Sequence, residues 1–290
     1  MGLKHPMRQA SASRTAERVA RRRAAHQIFD KPRVFEDPLA LRIIGAEASA
    51  ALRADPEEAQ KPSARGMRAF FAARSRYAED ELASNVRRGV RQCVILGAGL
   101  DTFAYRNPFI GVGLRVFEVD HPATQTWKRE RLQTVGIATP PGLSFVPIDF
   151  EEQSLPAELG RAGFDPSQPA FFSWLGVTPY LTRTAFDATV GFIAPLPRNS
   201  GVVFDFVIER HFLTPTEQVA LSRLESRVEL AGEPFKLFFE PAKLTQDLRQ
   251  SGFEHVECLD AAEMNHRYFA DRADALRIRG GSGRLLSARV

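Results

Sequence analysis

The sequence has 290 residues, of which 44% are hydrophobic and 26% are charged. This composition is typical of a folded globular protein and excludes collagen-like, fibrous and intrinsically disordered chains. The net charge of +4 is unevenly distributed, because residues 1–33 hold nine of the 39 lysines and arginines against only two acidic residues.

The first part of the chain is expected to form helices only. Apolar side chains recur at four-residue spacing over 14–29, which predicts an amphipathic helix. The Asp37-Pro38 pair predicts the start of a short second helix, and a long amphipathic helix is predicted over 66–88. Because no strand-like run comes earlier, the sequence predicts an N-terminal helical unit over residues 1–89.

The remaining residues, 90–290, alternate between strand-like and helix-like segments. Their apolar runs are typical of parallel strands that are covered by helices on both faces of a sheet. The seven runs lie at 92–96, 115–119, 144–148, 170–175, 201–208, 254–259 and 284–290. Helices are predicted at 122–135, 183–194 and 241–251, and a polar, helix-prone insertion at about 209–240. The sequence therefore predicts an α/β fold with one doubly wound, mostly parallel, seven-stranded sheet that has an antiparallel edge.

A glycine turn, Gly97-Ala98-Gly99, follows the first strand and is expected to lead into a helix. Glycines there let the backbone approach a ligand, and open α/β sheets bind nucleotides at the carboxyl ends of their strands. Thr102 replaces the third glycine of a dinucleotide fingerprint, and the carboxylate of Asp101 would repel a pyrophosphate. A nucleoside without a pyrophosphate, such as S-adenosylmethionine, fits this turn better than NAD does.

Carboxylates end the second and third strands. The second ends in Glu118 and Asp120, about 20 residues after the glycines, where a carboxylate can accept hydrogen bonds from both ribose hydroxyls. Either acid could serve, and Asp120 is favoured because it lies nearer the edge of the sheet. Asp149 ends the third strand, where it can accept a hydrogen bond from the adenine amine, and Phe150 can lie at the base. Each acid alone could be a helix N-cap, but together these strand ends indicate a nucleoside site.

These motifs resemble those of the leucine carboxyl methyltransferase family, and more closely its bacterial branch, which includes polyketide carboxyl O-methyltransferases. The similarity is carried by GAGLDTFAYR, FEVDHP and IDF, preceded by FFAARSRYAED and followed by SWLGVTPYL. It covers about residues 13–208. The resemblance implies a class I S-adenosylmethionine-dependent methyltransferase fold, with a helical cap over 1–89 and a cofactor-binding α/β domain over 90–290.

The resemblance also implies cofactor contacts residue by residue. Arg74 is implied to bind the methionine carboxylate, which suits a planar guanidinium that can pair with two oxygens at once. The other implied contacts are the methionine end of the cofactor for Gly97 and Gly99, the ribose for Asp120, and the adenine for Asp149 and Phe150. Ala98, between the two glycines, is also expected to bind the cofactor.

The fourth strand departs from the family pattern. Many relatives have Trp-Glu-Gly there, whereas this chain has Trp174-Leu175-Gly176, so an acidic contact with the cofactor is missing. Thr178 and Tyr180 follow and are candidates to face the methyl acceptor. The other interpretation of Tyr180 is a packed aromatic residue with a satisfied hydroxyl.

The expected reaction is transfer of a methyl group from S-adenosylmethionine to an oxygen of a small molecule. In-line displacement gains mainly from proximity and alignment. A carboxylate acceptor is already ionised at neutral pH, whereas a hydroxyl needs a general base. None of the six histidines stands in a recognisable base arrangement, and His121 comes nearest because it adjoins the ribose motif. The lack of an obvious base favours a carboxylate.

Other functions stay open. The acceptor could be a protein C-terminus or, given the basic N-terminal segment, an RNA base. Leu175 leaves room for a non-catalytic cofactor-binding relative, and Thr102 disfavours an NAD-dependent oxidoreductase. A solvated helix face explains the basic segment better than nucleic acid does, so nucleic acid is not expected as a partner.

Metals, disulfides and membranes are not expected to take part. Cys93 and Cys258 are too few for a disulfide framework, and no cluster of ligand residues has metal-binding spacing. No apolar run is long enough to cross a membrane, and residues 1–23 lack the apolar core of a secretory signal. A cytoplasmic location is therefore expected, and the sequence indicates no oligomeric state.

Overall fold

The computed structural model describes residues 13–149 and 153–290. Before the first strand the described chain is helical, as predicted. Ser13 caps the first helix by accepting a hydrogen bond from the N–H of Ala16, and the small side chains of Ala20 and Ala24 are buried along it. The helices are α1 (Arg14–Phe29), α2 (Ala40–Ile43), α3 (Ala46–Ala54), α4 (Pro56–Gln60) and α5 (Pro62–Arg87). Helices α3 and α4 were not predicted from the sequence.

Seven strands form one sheet, and each lies within a residue or two of its predicted bounds. The strands are β1 (Gln92–Leu96), β2 (Arg115–Asp120), β3 (Leu143–Pro147), β4 (Ala170–Trp174), β5 (Gly201–Val207), β6 (His255–Leu259) and β7 (Gly283–Arg289). Their order is β3-β2-β1-β4-β5-β7-β6. The first five are parallel, and β7 pairs antiparallel with both β5 and β6. The antiparallel strand therefore lies one place inside the edge.

The helices of the second half connect and cover these strands. They are α6 (Pro122–Thr134), α7 (Leu155–Arg161), α8 (Arg183–Ile193), α9 (Pro215–Leu230), α10 (Pro241–Gln250) and α11 (Ala261–Phe269). The predicted insertion contains α9, which begins with a capping box between Thr214 and Glu217. Helices α7 and α11 were not predicted from the sequence. Among the described residues, no helix is both long and apolar enough to cross a membrane.

The predicted α-helix after the glycine turn is wrong. The chain forms two short 3-10 turns there, Phe103–Arg106 and Ile110–Val112. The N–H of Phe103 donates to the side chain of Asp101, which favours a turn over a helix start. Pro108 then disfavours helical backbone at the residue before it, so the segment reaches β2 without a regular helix.

Hydrophobic side chains cover both faces of the sheet. On one face the rings of Trp174 and Phe186 are stacked with their centroids 5.2 Å apart. On the other face α5 packs Ala73 and Tyr77 into the same core as Phe171 of β4. Helix α5 therefore shares a core with the sheet, and the boundary at residue 89 stays a prediction.

Candidate functional site

A glycine loop joins β1 to the following turn at the carboxyl edge of the sheet. The N–H groups of Gly97 and Ala98 both donate to the carbonyl of Val119, at 2.8 and 3.0 Å, so β2 holds the loop in place. Gly97 and Gly99 have positive φ angles of 66° and 44°. A Cβ on Gly97 would lie 2.3 Å from Val177 Cγ2. Only glycine therefore fits at Gly97, and the loop forms part of the lining of a cavity.

Asp120 ends β2 beside this loop. Its Oδ2 accepts a hydrogen bond from the N–H of Gly99 at 2.5 Å, and its Oδ1 accepts one from the N–H of His121 at 2.7 Å. Burial raises the pKa of Asp120, and these backbone hydrogen bonds oppose the shift. The carboxylate lines the cavity and keeps lone pairs for a ligand.

Glu118, the alternative to Asp120, lies away from the cavity. It is 1% exposed, and its Oε2 lies 2.8 Å from Nζ of Lys128, which is also buried. Burial raises the pKa of Glu118 to about 7. Of the two acids that share a strand face, Asp120 is thus the one placed to meet a ligand.

Asp149, just after the third strand, lies beside His121. Asp149 is half-exposed, and its Oδ2 lies 3.9 Å from Nε2 of His121, which itself lines the cavity. Phe150 lies outside the described residues. The adenine contacts implied for Asp149 and Phe150 therefore stay predictions.

His121 has a structural role that the sequence analysis did not assign. Its Nδ1 accepts a hydrogen bond from the N–H of Ala123 at 3.2 Å and so caps α6. Among residues 13–149 and 153–290, no group of three or more His, Cys, Asp and Glu side chains could hold a metal ion.

Arg74 reaches the same edge of the sheet from α5. It is 5% exposed, and its Nη1 donates to Oδ2 of Asp205 at 2.6 Å. Its guanidinium lies over the ring of Phe71, 4.5 Å from the ring centroid. The other oxygen of Asp205 accepts a hydrogen bond from the N–H of Gly176 at 2.5 Å. The ion pair and the ring fix the guanidinium in place.

Asp205 was not among the predicted site residues. A signal was present, since a carboxylate stands in the otherwise apolar run of β5 and a buried carboxylate needs a partner. The register pairs Trp174 with Phe204, so Leu175 lies beside Asp205 on the neighbouring strand. The neighbouring strand thus supplies a carboxylate next to the position where the family's acid is missing.

Two cavities meet at Arg74. The loop cavity, of about 450 Å³, lies over the glycine loop and Asp120. The aromatic cavity, of about 510 Å³, is lined by side chains such as Phe70, Phe71, Phe206 and Phe235. Among the described residues, five line both cavities and are called the junction: Thr15, Val19, Arg74, Gly176 and Tyr180.

Tyr180 lies at the junction, whereas Thr178 does not. The ring of Tyr180 packs at 5.3 Å from that of Phe235, and burial raises the pKa of its hydroxyl to about 12. Thr178 is fully buried and donates to the carbonyl of Asp205 at 2.6 Å, so it does not face an acceptor as predicted. Tyr180 is packed and also lines both cavities, so its role toward an acceptor stays a prediction.

Helix α1 and the loop after α9 cover the loop cavity. The N–H of Thr15 donates to Oε2 of Glu233 at 3.1 Å, and its hydroxyl donates to the same oxygen. A Cβ on Gly99 would lie 2.9 Å from Cβ of Ala16, so α1 lies directly on the glycine loop. We call the contact between Thr15 and Glu233 the latch.

The fold is that of the class I S-adenosylmethionine-dependent methyltransferases. A DUF574 family protein from Streptomyces avermitilis superposes with a TM-score of 0.55 at 18% identity, covering 96% of this chain and 97% of that chain. A structure titled a "putative methyltransferase" from Thermobifida fusca gives a TM-score of 0.54 at 19% identity, covering 90% of this chain and 98% of that chain.

Residues 16–194 match the family model described as leucine carboxyl methyltransferase. The Bacillus subtilis protein named "Putative S-adenosyl-L-methionine-dependent methyltransferase YktD" is 34% identical over 294 residues, covering 93% of this chain and 95% of that protein. A Mycobacteroides abscessus protein with the same general name is 33% identical, covering 82% of this chain and 79% of that protein. The chain belongs to the leucine carboxyl methyltransferase family, which confirms the resemblance seen in the motifs.

Proposed function

We propose that this protein transfers a methyl group from S-adenosylmethionine to a carboxylate oxygen of a small molecule. Membership of the family and the names of the relatives support S-adenosylmethionine as the cofactor. The observation that carries the proposal is the meeting of two cavities at one junction, the loop cavity beside Asp120 and the aromatic cavity beyond Arg74. A cofactor and an acceptor need such an arrangement to bring their reacting atoms together.

The residues of the loop cavity fit S-adenosylmethionine. Asp120 has free lone pairs for the ribose hydroxyls, and the cavity volume lies within the usual range for small-molecule sites. Arg74 is aimed at the junction, where it can pair with the methionine carboxylate while Asp205 holds it. The bound cofactor would supply an electrophilic methyl group on a sulfonium.

The side chains of the junction favour an acceptor that is ionised beforehand. With a pKa raised to about 12, Tyr180 stays protonated at neutral pH and can donate a hydrogen bond but not remove a proton. Both oxygens of Asp205 already accept hydrogen bonds, from Arg74 and Gly176. A carboxylate, with a pKa of about 4, needs no base at neutral pH.

A small molecule suits the site better than a macromolecule. Helix α1 and the loop after α9 meet over the loop cavity at the latch. Part of the basic N-terminal segment is also used internally, since Arg23 is 6% exposed and lies 3.5 Å from Asp37 and 3.7 Å from Asp101. These contacts support the small-molecule acceptor over a protein C-terminus or an RNA base.

Calorimetric titration tests the cofactor. We expect S-adenosylmethionine and S-adenosylhomocysteine to bind with micromolar dissociation constants, and Asp120→Ala to weaken both at least about tenfold through loss of the ribose contacts. Glu130→Ala, an exposed change on α6, is the matched control and should bind normally. Tighter binding of NADH, or normal binding by Asp120→Ala, would contradict the proposed site.

A methyl-labelled cofactor tests the chemistry. With a panel of small carboxylic acids and phenols, we expect label in products that release methanol on mild alkaline treatment, because esters hydrolyse and ethers do not. Alkali-stable label would show a hydroxyl acceptor. Cofactor binding without turnover on any acid would favour the non-catalytic alternative.

A further inference from the structure

The aromatic cavity carries arginines that the proposed reaction does not use. Arg22, on α1, is half-buried in the cavity wall, and Arg227, on α9, is an exposed part of the same lining. Neither lines the loop cavity, so both lie on the part of the aromatic cavity away from the cofactor. Within residues 13–149 and 153–290, neither side chain makes a hydrogen bond or an ion pair.

The acidic side chains of the same cavity, in contrast, already have partners. Asp205 pairs with Arg74, Glu58 pairs with Lys61, and Asp55 caps α4 by accepting a hydrogen bond from the N–H of Glu58. The cavity wall therefore carries positive charge that no described acidic group neutralises by direct contact.

The guanidinium groups in this cavity wall repel one another. The pKa of Arg22 is lowered first by burial and then by repulsion from Arg68 and Arg227, and a weaker attraction to Glu58 opposes the shift. Arg68 is neutralised by Asp30, whereas Arg227 has no such partner. An anion bound between Arg22 and Arg227 would replace this repulsion by two attractions, and guanidinium groups suit carboxylate and other oxyanions.

We propose that the far end of the aromatic cavity, between Arg22 and Arg227, binds a second acidic group of the acceptor. This inference rests on the proposed function and names the class of substrate: an amphipathic molecule with an acidic group at each end. One group lies at the junction and is methylated. The other pairs with the two arginines, and the apolar body between them packs against the phenylalanine rings.

The geometry of α1 gives the length of the apolar part of the acceptor between its two acidic groups. Thr15 and Val19 lie at the junction, and Arg22 follows on the same face of the helix. At a rise of about 1.5 Å per residue, Arg22 is about 5 to 10 Å further along α1 than the junction residues. The two acidic groups are therefore separated by a body about as long as one or two aromatic rings.

A pair of fluorescent probes tests the site without requiring turnover. The probe 8-anilinonaphthalene-1-sulfonate has an aromatic body with an anionic group, and N-phenyl-1-naphthylamine has the same body without the charge. We expect saturable binding of the anionic probe, at least about tenfold tighter than of the neutral probe. Saturating S-adenosylhomocysteine should not displace it, because the cofactor occupies the other cavity.

Two variants and two controls locate the charge effect. Arg22→Met and Arg227→Met should each weaken binding of the anionic probe about three- to tenfold and change the affinity for the neutral probe less than twofold. Arg14→Met on α1 and Arg223→Met on α9 remove exposed charges that do not line the cavity, and should leave both probes unchanged.

Other outcomes would overturn the second acidic site. They are an unchanged affinity for the anionic probe in both variants, an equal loss of affinity for both probes, competition between S-adenosylhomocysteine and the anionic probe, or no saturable binding of the anionic probe. The titrations are also run without S-adenosylhomocysteine. A protein that fails to bind the cofactor but passes the probe test refutes the proposed function and not the anion site.

Discussion

At the scale of single residues, the pair formed by Arg74 and Asp205 defines the site. Both side chains are almost fully buried at the wall between the two cavities. A buried arginine needs its anion, so Asp205 stabilises the fold as well as orienting the guanidinium. Because that guanidinium also lies over Phe71, it cannot swing away to follow a ligand. Arg74 is thus held in one orientation at the junction, and its contact with the cofactor's carboxylate stays a prediction.

We expect Arg74→Lys to weaken binding of S-adenosylhomocysteine about tenfold. An ammonium group cannot pair with Asp205, lie flat on Phe71 and hold a ligand carboxylate at the same time. The comparison ligand is 5′-methylthioadenosine, which has the same nucleoside and no carboxylate, and its affinity should change less than twofold. Calorimetric titration measures both. An equal loss for the two ligands would mean that Arg74 supports the site without touching the carboxylate.

Single residues also show which parts of the site could be predicted from the sequence. Asp120 could be chosen before the structure was known because it ends a strand after a glycine turn, and strand ends meet at one edge of a parallel sheet. Asp205 could not be linked to Arg74, since the two lie 131 residues apart and no local pattern joins them. Nor could Thr178 be excluded, because its hydrogen bond to a strand carbonyl depends on tertiary packing.

At the scale of elements, α1 acts as the cover of the loop cavity. It packs on the glycine loop at Gly99 and is held across the cavity by the latch between Thr15 and Glu233. The proposed cofactor site lies beneath these elements, so we expect them to hinder entry and release of the cofactor. We therefore expect the latch to set part of the barrier to exchange.

Thr15→Val should speed release of S-adenosylhomocysteine up to about tenfold, since valine has the same shape but lacks the hydroxyl that donates to Glu233 and leaves only the backbone hydrogen bond. Glu233→Ala should do the same by removing the acceptor. Glu229→Ala, an exposed change on α9, is the control and should leave the rate unchanged. Stopped-flow displacement measures the rate. Unchanged release in both latch variants would show that the cofactor leaves by another route.

The strands were predicted from the sequence more completely than the helices were. All seven strands were found because each is a short run rich in apolar residues between turn-forming or helix-like segments. The short helices α3, α4, α7 and α11 were missed, since five to nine residues give too little periodicity for a pattern to emerge. The place of β7 between β5 and β6 also escaped prediction, because apolar runs carry no information about strand order.

At the scale of the whole molecule, buried charges tie the N-terminal helices together. Asp30, at the end of α1, accepts hydrogen bonds from Nε and Nη2 of Arg68 on α5, at 3.0 and 2.9 Å. The Nδ1 of His26 lies 2.9 Å from the same carboxylate. All three side chains are at most 1% exposed, and α5 in turn packs on the sheet. We therefore expect the described helices and the sheet to unfold as one unit.

Asp30→Asn should lower the free energy of unfolding by about 3 to 5 kcal/mol, because Arg68 is left buried without its anion. Burial alone would raise the pKa of Asp30, but hydrogen bonds from His26 and Arg68 overcome it, so the pKa in the folded protein lies below its ordinary value of 3.8. The stability from a lowered carboxyl pKa is complete above the unfolded value and is lost as the pH falls through the folded value. The stability of the wild type against thermal unfolding should therefore fall more steeply below pH 4 than the stability of Asp30→Asn.

Asp187→Asn is the control, because it breaks an exposed pair with Arg183 and should lower the free energy of unfolding by less than about 1 kcal/mol. Two separate unfolding transitions, or parallel acid dependence of wild type and Asp30→Asn, would show that this cluster does not tie the helices to the rest of the fold.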